Sequence, residues 1–270
     1  MRAPDSTQRI ERGTGPAPLS GRTPTAMEIV SCALPQLGHG DRLLVRALAL
    51  IANRQLLAID GLQHIRPAQD PFILVANHST LRESLLVPAL LFLYRGGSIV
   101  HFLADWNFRL LPGVGLLYAR AQVVTVTRKP AKPNFLNLLK PLYEHSLPTL
   151  ERARAHLAAG RSVGIFPEGE VNRDPTRLLR GRRGAARLSL ETGAPVVPVG
   201  IRFAAGAGRA GGGTGAMDLR IGAPLVPRAP ARQPAAVSAV SDWHGRIMSE
   251  IGRLSNKTWT GSRKGDHHDE

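Results

Sequence analysis

The stretch FILVANHSTLRESLLVPALLFLY, Phe72 to Tyr94, decides the fold. It opens on five apolar residues, too few for a helix and bulky enough for a strand buried on both faces. A polar loop follows, and then a second apolar run, over Arg82 to Leu93, long enough for a helix. Strand, loop and helix in this order make the first half of a βαβ unit. Further strand runs start at Ile99 (IVHFLA), Ala121 (AQVVTVT), Ser162 (SVGIF), Val196 (VVPVGIRF) and Met217 (MDLRIG). Helix-like segments over Asn134 to Tyr143, Pro148 to Ala159, Gly184 to Thr192 and Ala235 to Leu254 separate most of them. The alternation predicts an α/β domain with a mostly parallel central sheet flanked by helices, its chemistry on loops at the strand ends.

Upstream, Asp41 to Ile59 is strongly apolar, with Arg42, Arg46 and Asn53 on one narrow stripe at 100° per residue; this predicts an N-terminal amphipathic helical segment. Residues 1–26 are rich in Pro, Gly, Thr, Ser and Arg without hydrophobic period, and the last residues read the same way. The expected organisation is a flexible tail over 1–40, one domain over 41–258 and a flexible tail over 259–270.

The 28 glycines and 21 prolines among 270 residues fall below the roughly 25–30% share at which disorder becomes the default. One cysteine, Cys32, excludes an internal disulfide and a multi-cysteine metal site. His267 and His268 offer too few ligands on a polar tail, so no metal is expected. The longest run without a charged side chain, Ile29 to Gly40, is 12 residues, short of the roughly 20 a membrane-spanning helix needs; no span and no secretory leader are expected. The net charge of +15 calls for a polyanionic partner, whether nucleic acid, an anionic membrane or a phosphorylated substrate. Between Arg120 and Arg187 there are 14 basic and 5 acidic residues, net +9, a concentration suited to phosphate oxygens. Nucleic acid is not expected: only 13 residues are aromatic, and none interleaves with the arginines after Glu168 as a stacking platform requires.

Two loops carry chemistry. In VANHSTLRES, Asn77 and His78 stand at a strand end with Glu83 five residues on. A histidine base works best when a carboxylate holds its other ring nitrogen, and five residues across a loop-to-helix junction fold that carboxylate back onto the ring. The ordinary reading of the same spacing is a capping histidine and an acid favouring a helix N-terminus. In FPEGEVNRD, Phe166 to Asp174, Pro167 and Gly169 fix a tight turn that presents Glu168, and Arg173, Arg177, Arg180, Arg182 and Arg183 follow. GAGRAG, Gly206 to Gly211, matches a dinucleotide fingerprint but opens no helix, and reads as a flexible hairpin connection.

These blocks resemble the glycerophospholipid acyltransferases typified by 1-acylglycerol-3-phosphate acyltransferase: Asn77-His78 with Glu83, LPGVGLLYARAQVVTVTR ending at Arg128, IFPEGEVNR from Ile165, and GAPVVPVGI from Gly193, in the family's order. The resemblance implies an O-acyltransferase moving a fatty acyl group from an acyl-CoA or acyl carrier protein thioester to the hydroxyl of a lysophospholipid-type acceptor, with 1-acylglycerol-3-phosphate as the leading one, at the cytoplasmic face of the cell membrane. It implies His78 as base and Glu83 as its orienting acid, with Asn77, Arg128, Glu168, Gly169 and Arg173 binding substrate, and no cofactor beyond the thioester co-substrate. The absence of a G-x-S-x-G elbow agrees with direct transfer. The family's acid is usually aspartate, one methylene shorter than Glu83, and Arg173 stands two positions beyond its usual basic contact. The Asp41 helix and the run Leu85 to Tyr94 are the segments expected to touch lipid. The alternative from another class is a catalytically silent homologue that binds anionic lipid through the same basic loop.

Overall fold

The computed structural model describes residues 23–34, 37–80, 83–110, 119–120, 122–127, 130, 134–144, 146–203, 216–228 and 235–261. Seven strands, β1 (Leu56–Asp60), β2 (Ile73–Ala76), β3 (His101–Asp105), β4 (Val124–Val126), β5 (Val163–Ile165), β6 (Val196–Phe203) and β7 (Met217–Ile221), form one sheet in the order β1-β7-β6-β2-β5-β3-β4. The neighbours from β6 through β2, β5 and β3 to β4 are parallel, while β7 runs antiparallel to β6 and carries β1 with it. The sheet is therefore mostly parallel, as the alternation of runs predicts. GAGRAG, between β6 and β7, lies outside the described residues.

Every residue of β2 is buried because helices cover both faces. Phe72, Leu74 and Ala76 enter a core shared with α2 (His39–Asn53) and α3 (Glu83–Tyr94), whereas Ile73 and Val75 enter the opposite core, packed by α4 (Thr149–Ala158), α5 (Gly184–Thr192) and α6 (Val237–Ser255). The period of two is present in the strand, but both of its faces are apolar.

Four expectations require correction. The helix from Asp41 ends at Asn53, and Leu56–Asp60 is an edge strand; an apolar run of four residues closed by Asp60 fits either period, and the sheet edge decides it. The run expected over Leu85 to Tyr94 is core among its described side chains and not a lipid-contacting face, since Val87, Leu90 and Leu91 are fully buried. The tail expected over 1–40 is folded among its described residues: Thr25 and Glu28 make a capping box for α1 (Ala26–Ser31), and Ile29 is fully buried with Ala49 and Leu93. The polar stripe of α2 explains it. Arg42 Nε, Arg46 Nη2 and Asn53 Nδ2 donate to the carbonyls of Leu37, Cys32 and Pro24 at 2.8, 2.9 and 2.7 Å. At the other end Trp259, expected in the C-terminal tail, packs edge-on against His244 and donates from Nε1 to Arg180 O at 3.2 Å.

His101 and His156 stack at 4.2 Å between centroids. Burial, then the neighbouring His101, Arg161 and Arg152, bring the His156 imidazole down to about 4. A histidine held neutral in the fold and free to protonate when unfolded stabilises fully above about pH 6.5 and loses that contribution as pH falls toward 4. Melting temperature followed across pH 7 to 4 should therefore drop less in His156→Gln than in the parent; parallel curves would remove His156 from the acid limb.

Candidate active site

The parallel strands deliver their C-terminal ends to one edge, and the two loops singled out in the sequence meet there. Asn77, the first residue after β2, is fully buried, its Oδ1 accepting from Ile201 N at 2.7 Å and its Nδ2 donating to Ile201 O at 3.0 Å. The side chain extends the β2–β6 ladder by one rung, which corrects the expectation that it binds substrate: its amide pins the loop.

His78 follows with its main chain held from the other loop. Its N–H donates to Glu168 Oε1 at 3.0 Å, and its carbonyl accepts from Asn172 N at 2.7 Å. Glu168 Oε2 accepts from Asn172 Nδ2 at 2.7 Å and from Leu179 N at 2.9 Å. Both carboxylate oxygens of this buried side chain serve protein donors, so Glu168, expected among the substrate-binding residues, is a clamp tying the His78 loop to the turn after β5. Gly169 permits that turn, at φ +70°, and the Arg182 side chain crosses it so closely that a Cβ would lie 2.8 Å from Arg182 Nε.

The ring of His78 rests on Phe166, centroids 4.7 Å apart, with Phe102 behind it at 5.5 Å. Nδ1 stands 2.8 Å from Glu83 Oε1, and Ser79 N donates to the same oxygen. Glu83 is the first residue of α3, its N–H directed at Thr80 Oγ1 at 3.4 Å. Its side chain has no exposed surface, whereas that of His78 retains 10%. The carboxylate is thus sealed, and the imidazole remains reachable. With Nδ1–H donated to Glu83, Nε2 carries the lone pair, the arrangement of a general base. The extra methylene of glutamate leaves the contact at normal length.

Sequence reasoning missed Lys257. Asn256, left-handed at φ 58°, ends α6 and turns the chain back, so that Thr258 N donates to Thr176 O at 2.7 Å and Leu178 N to Thr258 O at 2.9 Å. Lys257 Nζ then donates to Ser79 Oγ at 3.1 Å and to Asp174 O at 2.8 Å, bridging the two loops. Burial lowers its ammonium below the usual lysine value, against the opposing pull of Glu168, Glu83 and Asp174. No local motif marks a lysine so far along the chain; its signal lies only in the helix end that turns it inward.

Arg173 is exposed in the loop after Glu168, and Arg128 lies outside the described residues. Among the described residues no three His, Cys, Asp or Glu side chains converge as a metal group, and no helix is long and apolar enough to cross a membrane.

The family model described as Acyltransferase matches residues 57–202. The chain is 25% identical over 141 residues to the chloroplastic 1-acyl-sn-glycerol-3-phosphate acyltransferase of Brassica napus, covering 52% of this chain and 36% of that protein. It is 25% identical over 144 residues to 1-acyl-sn-glycerol-3-phosphate acyltransferase of Borreliella burgdorferi, covering 53% and 50%. The chain thus spans half or less of the length of these curated relatives. The fold is similar to the crystal structure of the 1-acyl-sn-glycerophosphate (LPA) acyltransferase PlsC from Thermotoga maritima, with a TM-score of 0.53, 18% identity, and coverage of 82% of this chain and 84% of that one.

Proposed function

Since the chain belongs to the Acyltransferase family, we propose that it transfers a fatty acyl group from a thioester of coenzyme A or acyl carrier protein to the hydroxyl of a lysophospholipid, with 1-acylglycerol-3-phosphate as the acceptor. The observation that carries this reading is the 2.8 Å contact of His78 Nδ1 with the sealed Glu83 carboxylate. His78 Nε2 removes the acceptor hydroxyl proton as that oxygen attacks the thioester carbonyl. The tetrahedral intermediate expels thiolate, the C–S bond breaks as the C–O ester forms, and the imidazolium returns the proton to sulfur. Glu83 offsets the positive charge formed on the ring, and the clamp at Glu168 fixes the loop that carries it. No covalent enzyme intermediate is required.

In this reading Arg173 and Arg182, with Arg128, meet the acceptor phosphate, and the excess of positive charge holds the protein peripherally at the anionic cytoplasmic face of the membrane. The purified chain should acylate lysophosphatidate from a labelled acyl thioester. Arg173→Ala should raise the acceptor KM about tenfold, the worth of one charge-assisted hydrogen bond, and leave the thioester KM unchanged. Failure of the parent on every lyso-acceptor and both thioesters would overturn the enzymatic reading in favour of the silent lipid binder. Equal KM effects on both substrates would remove Arg173 from acceptor recognition.

A further inference from the structure

The loop edge of the sheet carries an apolar strip that the chemistry above does not use. The 3₁₀ helix Asn134–Tyr143 buries none of its residues. Phe135, Leu138, Leu139 and Leu142 are 68, 84, 39 and 75% exposed, and Leu147 just beyond is 56% exposed. A single exposed leucine is ordinary, but a run of them marks an interaction surface.

The strip is anchored in a defined place. The Tyr143 ring packs on Trp106 at 5.7 Å, and the Arg109 guanidinium lies 5.8 Å over the same ring. Trp106 opens the turn that follows β3, and the segment itself follows β4. Because β2, β5, β3 and β4 are parallel neighbours, the strip leaves the sheet at the edge that carries His78. From β2 to β3 is two strand spacings, roughly 10 Å. The polar side chains of the segment are occupied beside the strip: Asn137 Nδ2 donates to Asn134 O at 2.8 Å, and Lys140 pairs with Glu144 at 3.7 Å.

Charge selects the occupant. Residues 128–147 contain Arg128, Lys129, Lys132 and Lys140 against Glu144 alone, net +3. A second copy of this chain, at +15, would meet like charge here, whereas an anionic lipid surface presents opposite charge above an apolar layer. We propose that the segment Asn134–Tyr143, with Leu147 just beyond it, is the element that enters an anionic lipid surface, with Phe135, Leu138 and Leu142 at the acyl boundary. The purpose of this contact rests on the lysophospholipid reading above, since it turns the His78 edge toward the lipid that holds the acceptor.

Flotation of the full chain with vesicles of phosphatidylglycerol and phosphatidylcholine in equal parts tests the inference. The parent should partition at least tenfold more strongly to these than to pure phosphatidylcholine. Leu138→Glu/Leu142→Glu should lower partitioning at least tenfold with an unchanged melting temperature, because both side chains are exposed. In Phe135→Trp, vesicles should shift the indole emission to the blue, and lipids brominated along the acyl chain should quench it. The inference is overturned if the double variant floats like the parent, if the indole stays unquenched, or if the face instead pairs copies, seen as a dimer mass that the double variant abolishes. Flotation without acyl transfer would overturn the enzymatic reading and leave this surface standing; transfer to a detergent-solubilised acceptor without flotation would do the reverse.

Discussion

His78→Ala is expected to lower acyl transfer by about 10²–10⁴-fold, the contribution of a positioned base. The fold should survive because the contacts fixing this position are made by the main chain: the N–H to Glu168 and the carbonyl to Asn172 do not depend on the imidazole. What the variant loses is the ring's packing on Phe166 and one partner of Glu83, which keeps the Ser79 N–H. The stability cost should therefore be about 1–3 kcal/mol. Rate and melting temperature measured on the same preparation check this. Near-parental transfer by a folded variant would remove the base from the mechanism.

Glu83→Gln should lower the rate by tenfold at least and by up to about 10⁴-fold, the range seen when the carboxylate behind a catalytic histidine is neutralised in a hydrolase triad. An amide can accept from Ser79, but it carries no charge to offset the imidazolium. Glu83→Asp keeps the charge and shortens the reach, and should retain measurable transfer. If Glu83 served only the start of α3, neutralising it would cost about 0.3–1 kcal/mol of stability and leave the rate unchanged. Comparing rates and melting temperatures of the three proteins separates the two roles; a glutamine variant as fast as the parent would exclude Glu83 from the chemistry.

The core fold was legible because its signals are local. The strand Phe72 to Ala76 and the helices over Gly184 to Thr192 and Ala235 to Leu254 fall where apolar period and length place them, within a residue or two at most ends. Leu56–Asp60 was not legible: four apolar residues and an aspartate after a helix obey no period, and only pairing with β7 makes them a strand. The His78–Glu83 contact was readable from a spacing of five. The roles of Asn77 and Glu168 were not, because a motif shows that a polar residue is needed and not which way it faces. Both point inward, to Ile201 and to His78. Lys257 was hidden for a different reason: it joins the site through the turn at Asn256, and sequence distance carries no trace of that approach.

The clamp at Glu168 also divides the loop after β5 into two parts with different freedom to change. Glu168 and Asn172 hold His78, so mutational drift at either would displace the reactive ring and be purged with it. Arg173, Pro175 and Thr176 are exposed, and none of their side chains is bonded to the base. Under the proposed lysophospholipid reading, acceptor preference would therefore diversify along this short exposed arc while the chemistry beside it stays fixed, a route for one scaffold to many lipid headgroups without passing through an inactive intermediate.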